Sequence, residues 1–185
     1  MVVYTVMVVL AGCTARYREV KDAAQKNIDS FSEGNMEEIN RLLFGISESP
    51  VEAEEGMYEG APAKERDGIL RIVFLHSTMS VKKVGKDRVE FEIIVPDMED
   101  IFKYVPDTDN RYANSQKGFL EYLEDYVTLV ERKKSTVSVP YSVEGENIVI
   151  DYYNEEFIRA VTGGLADAYA QIYMDASKEY EKGVQ

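Results

Sequence analysis

Few residues in this chain have the type and spacing for chemistry, and the most reactive is its single cysteine, Cys13. One cysteine excludes a disulfide within the chain, and a lipidated Cys13 would leave no thiol for a cysteine-based metal centre. The uses left to that sulfur are acylation or a plain buried thiol. His76 is the only histidine, and Ser77 follows it. With no cysteine left as partner once Cys13 is lipidated, a Cys–His nucleophile pair is impossible, and adjacency alone does not poise Ser77, because catalytic triads are defined by spatial geometry. His76 therefore reads as a residue at a helix C-terminus or a pocket edge. Asp107-Thr108-Asp109-Asn110 places two carboxylates in one loop, but Arg111 and Tyr112 break the spacing of a calcium loop, so the segment reads as a solvated turn. Glu52, Glu54, Glu55 and Glu59 read likewise as loop charges. No glycine-rich phosphate loop, GxSxG or HExxH occurs. Catalytic, metal-binding and cofactor-binding residues are accordingly not assigned.

Tyrosine is the remaining chemically versatile type, with 13 copies and no tryptophan. Tyr141, Tyr152, Tyr153, Tyr169 and Tyr173 cluster toward the C-terminus. An apolar ring with a polar tip suits either a ligand pocket or a protein interface, and equally the rim of a core. Tyr141, Tyr152, Tyr169, Tyr173 and His76 are the expected contacts to a ligand or partner.

Cys13 ends the run Leu10-Ala11-Gly12-Cys13, which follows apolar residues from Val2. That run is shorter than the roughly 20 residues needed to span a bilayer, and it has the apolar stretch and small residues of an export signal. The tetrapeptide resembles the bacterial lipobox. The resemblance implies that residues 1–12 are a signal peptide and that Cys13 is diacylglycerated and becomes the first mature residue. Two acyl chains, at about 0.8 kcal/mol per buried methylene, anchor stably. No Lys or Arg precedes Arg16, unlike the usual signal. The competing expectation is a buried first strand, since Val2-Val3-Tyr4-Thr5-Val6 is rich in β-formers.

Residues 13–185 have the length of one domain. The 34 acidic against 21 basic residues, a formal charge of −13, oppose nucleic-acid binding and adsorption to anionic lipid. Membrane contact is expected through the lipid on Cys13.

The 3.6-residue period predicts a helix over 16–33 with Tyr17, Val20, Ala24, Ile28 and Phe31 on one stripe. Gly34 stops it, and Asn35 with Glu38 forms a capping-box pattern for a second helix ending at Gly45. Residues 47–64 read as loop, and Asp67 as the cap of a short helix to His76. Strands are expected at 78–84 and 88–95, the second with Val89, Phe91, Ile93 and Val95 facing inward. Asp97 caps a short helix, and a longer one is expected from 114 or 115 to about 132. A strand at 135–143 contains Pro140, which points to an edge or a bulge, and turns through 144–147 into a strand at 148–152. A helix at 155–161, a Thr162-Gly163-Gly164 break and a helix from 165 to about 180 follow.

Segregated helices and antiparallel hairpins make this an α+β chain, a bent sheet covered by helices. The element order resembles the nuclear-transport-factor-two-like (cystatin-like, cone-shaped) superfamily. It is similar in particular to bacterial lipoproteins of unknown function on that fold, with Pro96-Asp97-Met98 after a strand, then Asn-Glu-Glu-Phe at 154–157 and Thr-Gly-Gly at 162–164. The resemblance covers most of residues 15–165, with 165–185 as an extension. It implies a cone-like fold and an extracytoplasmic, lipid-anchored location on the cell membrane, and carries across no catalytic residue. The expected role is binding of a small apolar or aromatic molecule or of an envelope protein. The alternatives are an enzyme with an acid–base pair in the sheet–helix cleft, or a structural accessory of the envelope.

Overall fold

The structure is a computed structural model that describes residues 2–45, 63–103, 116–145 and 147–167. Side chains are described from residue 15 onward, apart from those of 63–66, 102–103 and 116–119.

Helix α1 (Val2–Ser32) opens the chain. It starts well before residue 16, and residues 2–6 are helical, so the expectation of a first strand is overturned. That stretch contains no proline, so every amide in it can join a helical ladder despite its valines. The predicted stripe is correct at Val20, Ala24, Ile28 and Phe31, all buried, whereas Tyr17 remains 40% exposed. α2 (Met36–Phe44) is capped by Asn35, whose side chain accepts from the Glu38 amide at 3.3 Å. The reciprocal half of the box is absent. The Asn35 amide donates instead to Ser30 O, closing α1, and the Glu38 carboxylate forms a two-pronged pair with Arg41.

α3 (Ala63–Leu75) begins four residues before the expected cap. Asp67 therefore lies within the helix, where its carboxylate accepts from Asn40 of α2. β1 (Thr78–Val84) and β2 (Arg88–Pro96) form the first hairpin, with a register shift between Val81 and Lys83. Alternation along β2 decides its facing: Val89, Phe91 and Ile93 are fully buried, and Glu90 and Glu92 lie opposite.

α4 (Met98–Lys103) follows, then α5 (Gln116–Tyr126). The longer helix expected to reach residue 132 stops at Tyr126. Val127 and Val130 are buried as the helical stripe required, but from a turn. Apolar spacing reports burial, and a turn buries those two valines as well as a helix does. The residues thus released extend β3, which runs Arg132–Glu144 rather than 135–143. Arg132, Lys133 and Lys134 pair with Pro96, Val95 and Ile94.

β4 (Asn147–Ile150) completes an antiparallel sheet in the order β1-β2-β3-β4, curled as a half-barrel. β2 flanks β3 over 132–140, and β4 flanks its other side only from Tyr141, so Pro140 sits at an edge on that second side, as expected. That proline opposes Arg88, the first residue of β2, and pairing with β4 starts at the next residue, Tyr141. Its missing N–H falls where β3 changes partners, and its carbonyl accepts from the Asp151 amide at 2.9 Å. The irregularity sits in β1 instead. α6 (Glu155–Val161), capped by Asn154, packs on β2 and β3. The expected loop at 47–64, the turn at 107–110 and the final helix lie largely or wholly outside the described residues.

Candidate functional site

The concave face of the sheet is the expected cleft, and side chains fill it. Phe31 from α1, Phe74 from α3, Phe91 from β2 and Phe157 from α6 converge there with Tyr152 from the segment after β4. Ring centroids lie 5.4 Å apart for Phe31–Phe74, 5.5 Å for Phe91–Phe157 and 5.0 Å for Tyr152–Phe157, the first two edge-on. Each such pair adds about 0.5–1.5 kcal/mol beyond the area it buries. All five rings are at most 2% exposed.

Tyr152, an expected ligand contact, is therefore placed in the core. Its hydroxyl accepts from Asn27 Nδ2 at 3.3 Å, and burial holds its ionisation far above the ordinary tyrosine value, with the Asn27 bond opposing that shift. Tyr141 faces the same side from the far end of β3. Its hydroxyl donates to the carbonyls of Gly85 and Lys86 at 3.0 and 2.9 Å, tying β3 to the β1–β2 turn. Partial burial raises its ionisation too, with nearby Tyr17 adding to the shift.

His76 lies at the opposite end of the sheet, after α3. Its carbonyl accepts from Arg132 at 2.7 Å. Ser77 beside it donates to Val73 O, satisfying a carbonyl of the last turn of α3. Tyr141, Tyr152 and His76 are thus not gathered into one site, and Tyr169 and Tyr173 lie outside the described residues. The exposed large apolar side chains include Tyr17, Tyr153 (65%) and Leu129 (74%).

One convergence joins stretches far apart in sequence. Pro96-Asp97-Met98 meets Thr162-Gly163-Gly164: the Met98 amide donates to Gly163 O at 3.1 Å, and the Asp97 amide to Glu131 O at 2.8 Å. Asp97 Oδ1 also accepts the amides of Glu99 and Asp100 as the cap of α4. Lys133 closes the junction, with Nζ 2.8 Å from Asp97 and 3.1 Å from Glu99. Desolvation lowers the ionisation of that ammonium, but the two carboxylate hydrogen bonds outweigh it and hold it above the ordinary lysine value. The backbones touch at Gly163: a Cβ there would lie 2.2 Å from Pro96 O. The arrangement is a clasp between α4, β3 and the end of α6, and its polar groups are used within it.

Sequence reading missed Lys133, which lay between the expected helix and the expected strand, and Asn40. Asn40 is 1% exposed, and its Oδ1 finds no hydrogen-bond partner. A polar residue inside an apolar helix stripe was its only sign. Among the described residues no three His, Cys, Asp or Glu side chains group to hold a metal ion. No described helix is long and apolar enough to cross a membrane.

No family model matches this chain, and neither does any curated protein or solved structure. Its own geometry therefore carries the functional argument.

Proposed function

We propose that this chain is a membrane-moored binding domain of the bacterial lipoprotein type, with a cone-like body of the nuclear-transport-factor-two-like kind. It is held on the extracytoplasmic face through lipid on Cys13 and engages an envelope protein partner. One observation carries the mooring: the fold does not draw on the apolar run before Cys13 for its sheet. The first strand begins at Thr78, and the described core begins at Val20. An apolar segment that supplies no strand, ending in Leu-Ala-Gly-Cys, fits a processing and attachment signal better than a structural element.

The preference for a protein over a small ligand follows from the filled concave face. Five aromatic side chains occupy the volume between sheet and helices, and among the described tyrosines Tyr153 is the most exposed, on the surface. Tyrosine on a surface suits protein recognition, where a ring buries area while its hydroxyl stays hydrogen-bonded.

Intact-mass measurement of the protein extracted from bacterial membranes tests the mooring. The expected result is a chain beginning at Cys13 and carrying diacylglycerol. Labelled palmitate retained by a Cys13→Ala variant, or an unmodified chain still bearing Met1, would refute it.

A further inference from the structure

The stretch joining Cys13 to the body has no slack. α1 is helical without a break from Val2 to Ser32, and its first buried side chain among those described is Val20. From Cys13 to Val20 the helix advances about 10 Å, at about 1.5 Å per residue. An extended flexible tether of equal length would reach about 24 Å, in any direction.

The end of the body nearest Cys13 has an interfacial composition. Arg16, Tyr17 and Arg18 are all exposed, directly after the attachment point. α1 packs on β1, which leads into the 85–88 turn, and the Tyr141 hydroxyl fixes that turn to β3. Lys86 and Arg88 in the turn are exposed as well. Tyrosine and long cationic side chains favour the headgroup layer, the rings at the boundary and the cations reaching phosphate. Glu19, Asp87 and Glu144 stand at this end too, so among the described residues charge there is nearly balanced, while the whole chain carries −13. The acidic excess lies elsewhere on the chain.

We infer that the lipidated domain sits directly on the bilayer, with Arg16, Tyr17, Arg18 and the 85–88 turn in the phospholipid headgroup layer, rather than swinging on a tether. The inference rests on the lipid-anchor reading. A headgroup layer is about 5–8 Å deep on each side, which the short rigid arm matches. The opposite end, where Leu129 precedes β3, then stands about 26 Å further out, the length of β2 at about 3.3 Å per residue.

The chain contains no tryptophan, so single reporters are clean. Lys86→Trp and Leu129→Trp variants of the lipidated protein are placed on phosphatidylcholine vesicles with and without brominated acyl chains. The hydrogen bonds to residue 86 run through its backbone carbonyl, which the substitution keeps. The expected result is several-fold stronger quenching at residue 86 than at residue 129. Ten Gly-Ser residues inserted between Thr14 and Ala15 abolish that difference while the protein still sediments with the vesicles. Equal quenching at the two positions in sedimented protein overturns the docked orientation alone, as does a difference that survives the insertion. Protein that fails to sediment overturns the anchor and this inference together.

Discussion

Gly163→Ala is the sharpest probe of the clasp. Gly163 has φ +63°, and its Cβ would fall 2.2 Å from Pro96 O, a backbone atom, and 3.2 Å from Met98 Cγ. Two costs combine. The left-handed conformation costs an L-residue about 1–2 kcal/mol. Relief of the clash must move the strand end or the glycine backbone, breaking the bond from the Met98 amide to Gly163 O, worth about 1 kcal/mol net, with some loss of packing around Met98. The expected total is about 3–4 kcal/mol, a large fraction of the roughly 5–15 kcal/mol typical of a domain.

Two other glycines serve as controls for the same perturbation. Gly145 has φ +68° with nothing within 4 Å, so its alanine variant carries the conformational cost alone, about 1–2 kcal/mol. Gly164 has φ +80° and would meet Glu99 Oε1 at 2.7 Å, the far end of a movable side chain, so its variant falls between. Urea unfolding followed by far-ultraviolet circular dichroism measures all three. At about 2–4 °C per kcal/mol for a chain of this size, Gly163→Ala lowers Tm by about 10 °C. A Gly163→Ala loss within 0.5 kcal/mol of the Gly145→Ala loss, on the order of measurement error, would refute the close approach of Pro96 and Gly163.

Other perturbations separate the core from its margins. Phe157→Ala removes a ring that meets Phe31, Phe91 and Tyr152 and costs about 3–5 kcal/mol. Tyr152→Phe keeps the ring and leaves only half-buried Asn27 without that acceptor, so its cost by urea titration stays near 1 kcal/mol. Asn35→Ala removes the cap of α2 and costs about 1 kcal/mol, with a matching loss of helical ellipticity only if α2 frays. The Lys133 ammonium is held above its ordinary value of 10.5 in the folded chain, so its pairing stabilises fully below that pH and is lost as pH rises through the folded value. Unfolding midpoints compared at pH 9 and above pH 11 show that loss, and Lys133→Met abolishes the pH dependence attributable to it. Glu38 runs the other way: the Arg41 hydrogen bond lowers its ionisation from 4.5, so its contribution appears above that pH and fades as pH falls through the folded value. That exposed pair is worth about 0.2–0.5 kcal/mol.

Local chemistry was enough to decide much of this chain from sequence. Alternation at Val89, Phe91, Ile93 and Val95 specifies a strand and its buried face without reference to any neighbour, because successive side chains point to opposite sides. Asn35 and Asp97 mark helix starts because the cap bond forms within three residues. Gly145 turns the second hairpin for a similarly local reason.

Only the folded chain could decide three other things. The end of α5 was one, since Val127 and Val130 satisfy a helical stripe while lying in a turn, and the choice is made by β2, which pairs with Arg132–Glu144. The role of the tyrosines was another. Their count says nothing about whether Tyr152 lines a cleft or fills it, and that is settled by Phe31, Phe91 and Phe157 closing around it. The meeting of Pro96-Asp97-Met98 with Thr162-Gly163-Gly164 was the third, a contact across more than sixty residues of chain. Turns, caps and strand faces are settled by energies between neighbours in sequence. Which side chains share a volume is settled by competition for the concave face of the sheet, and that competition exists only once the sheet has curled.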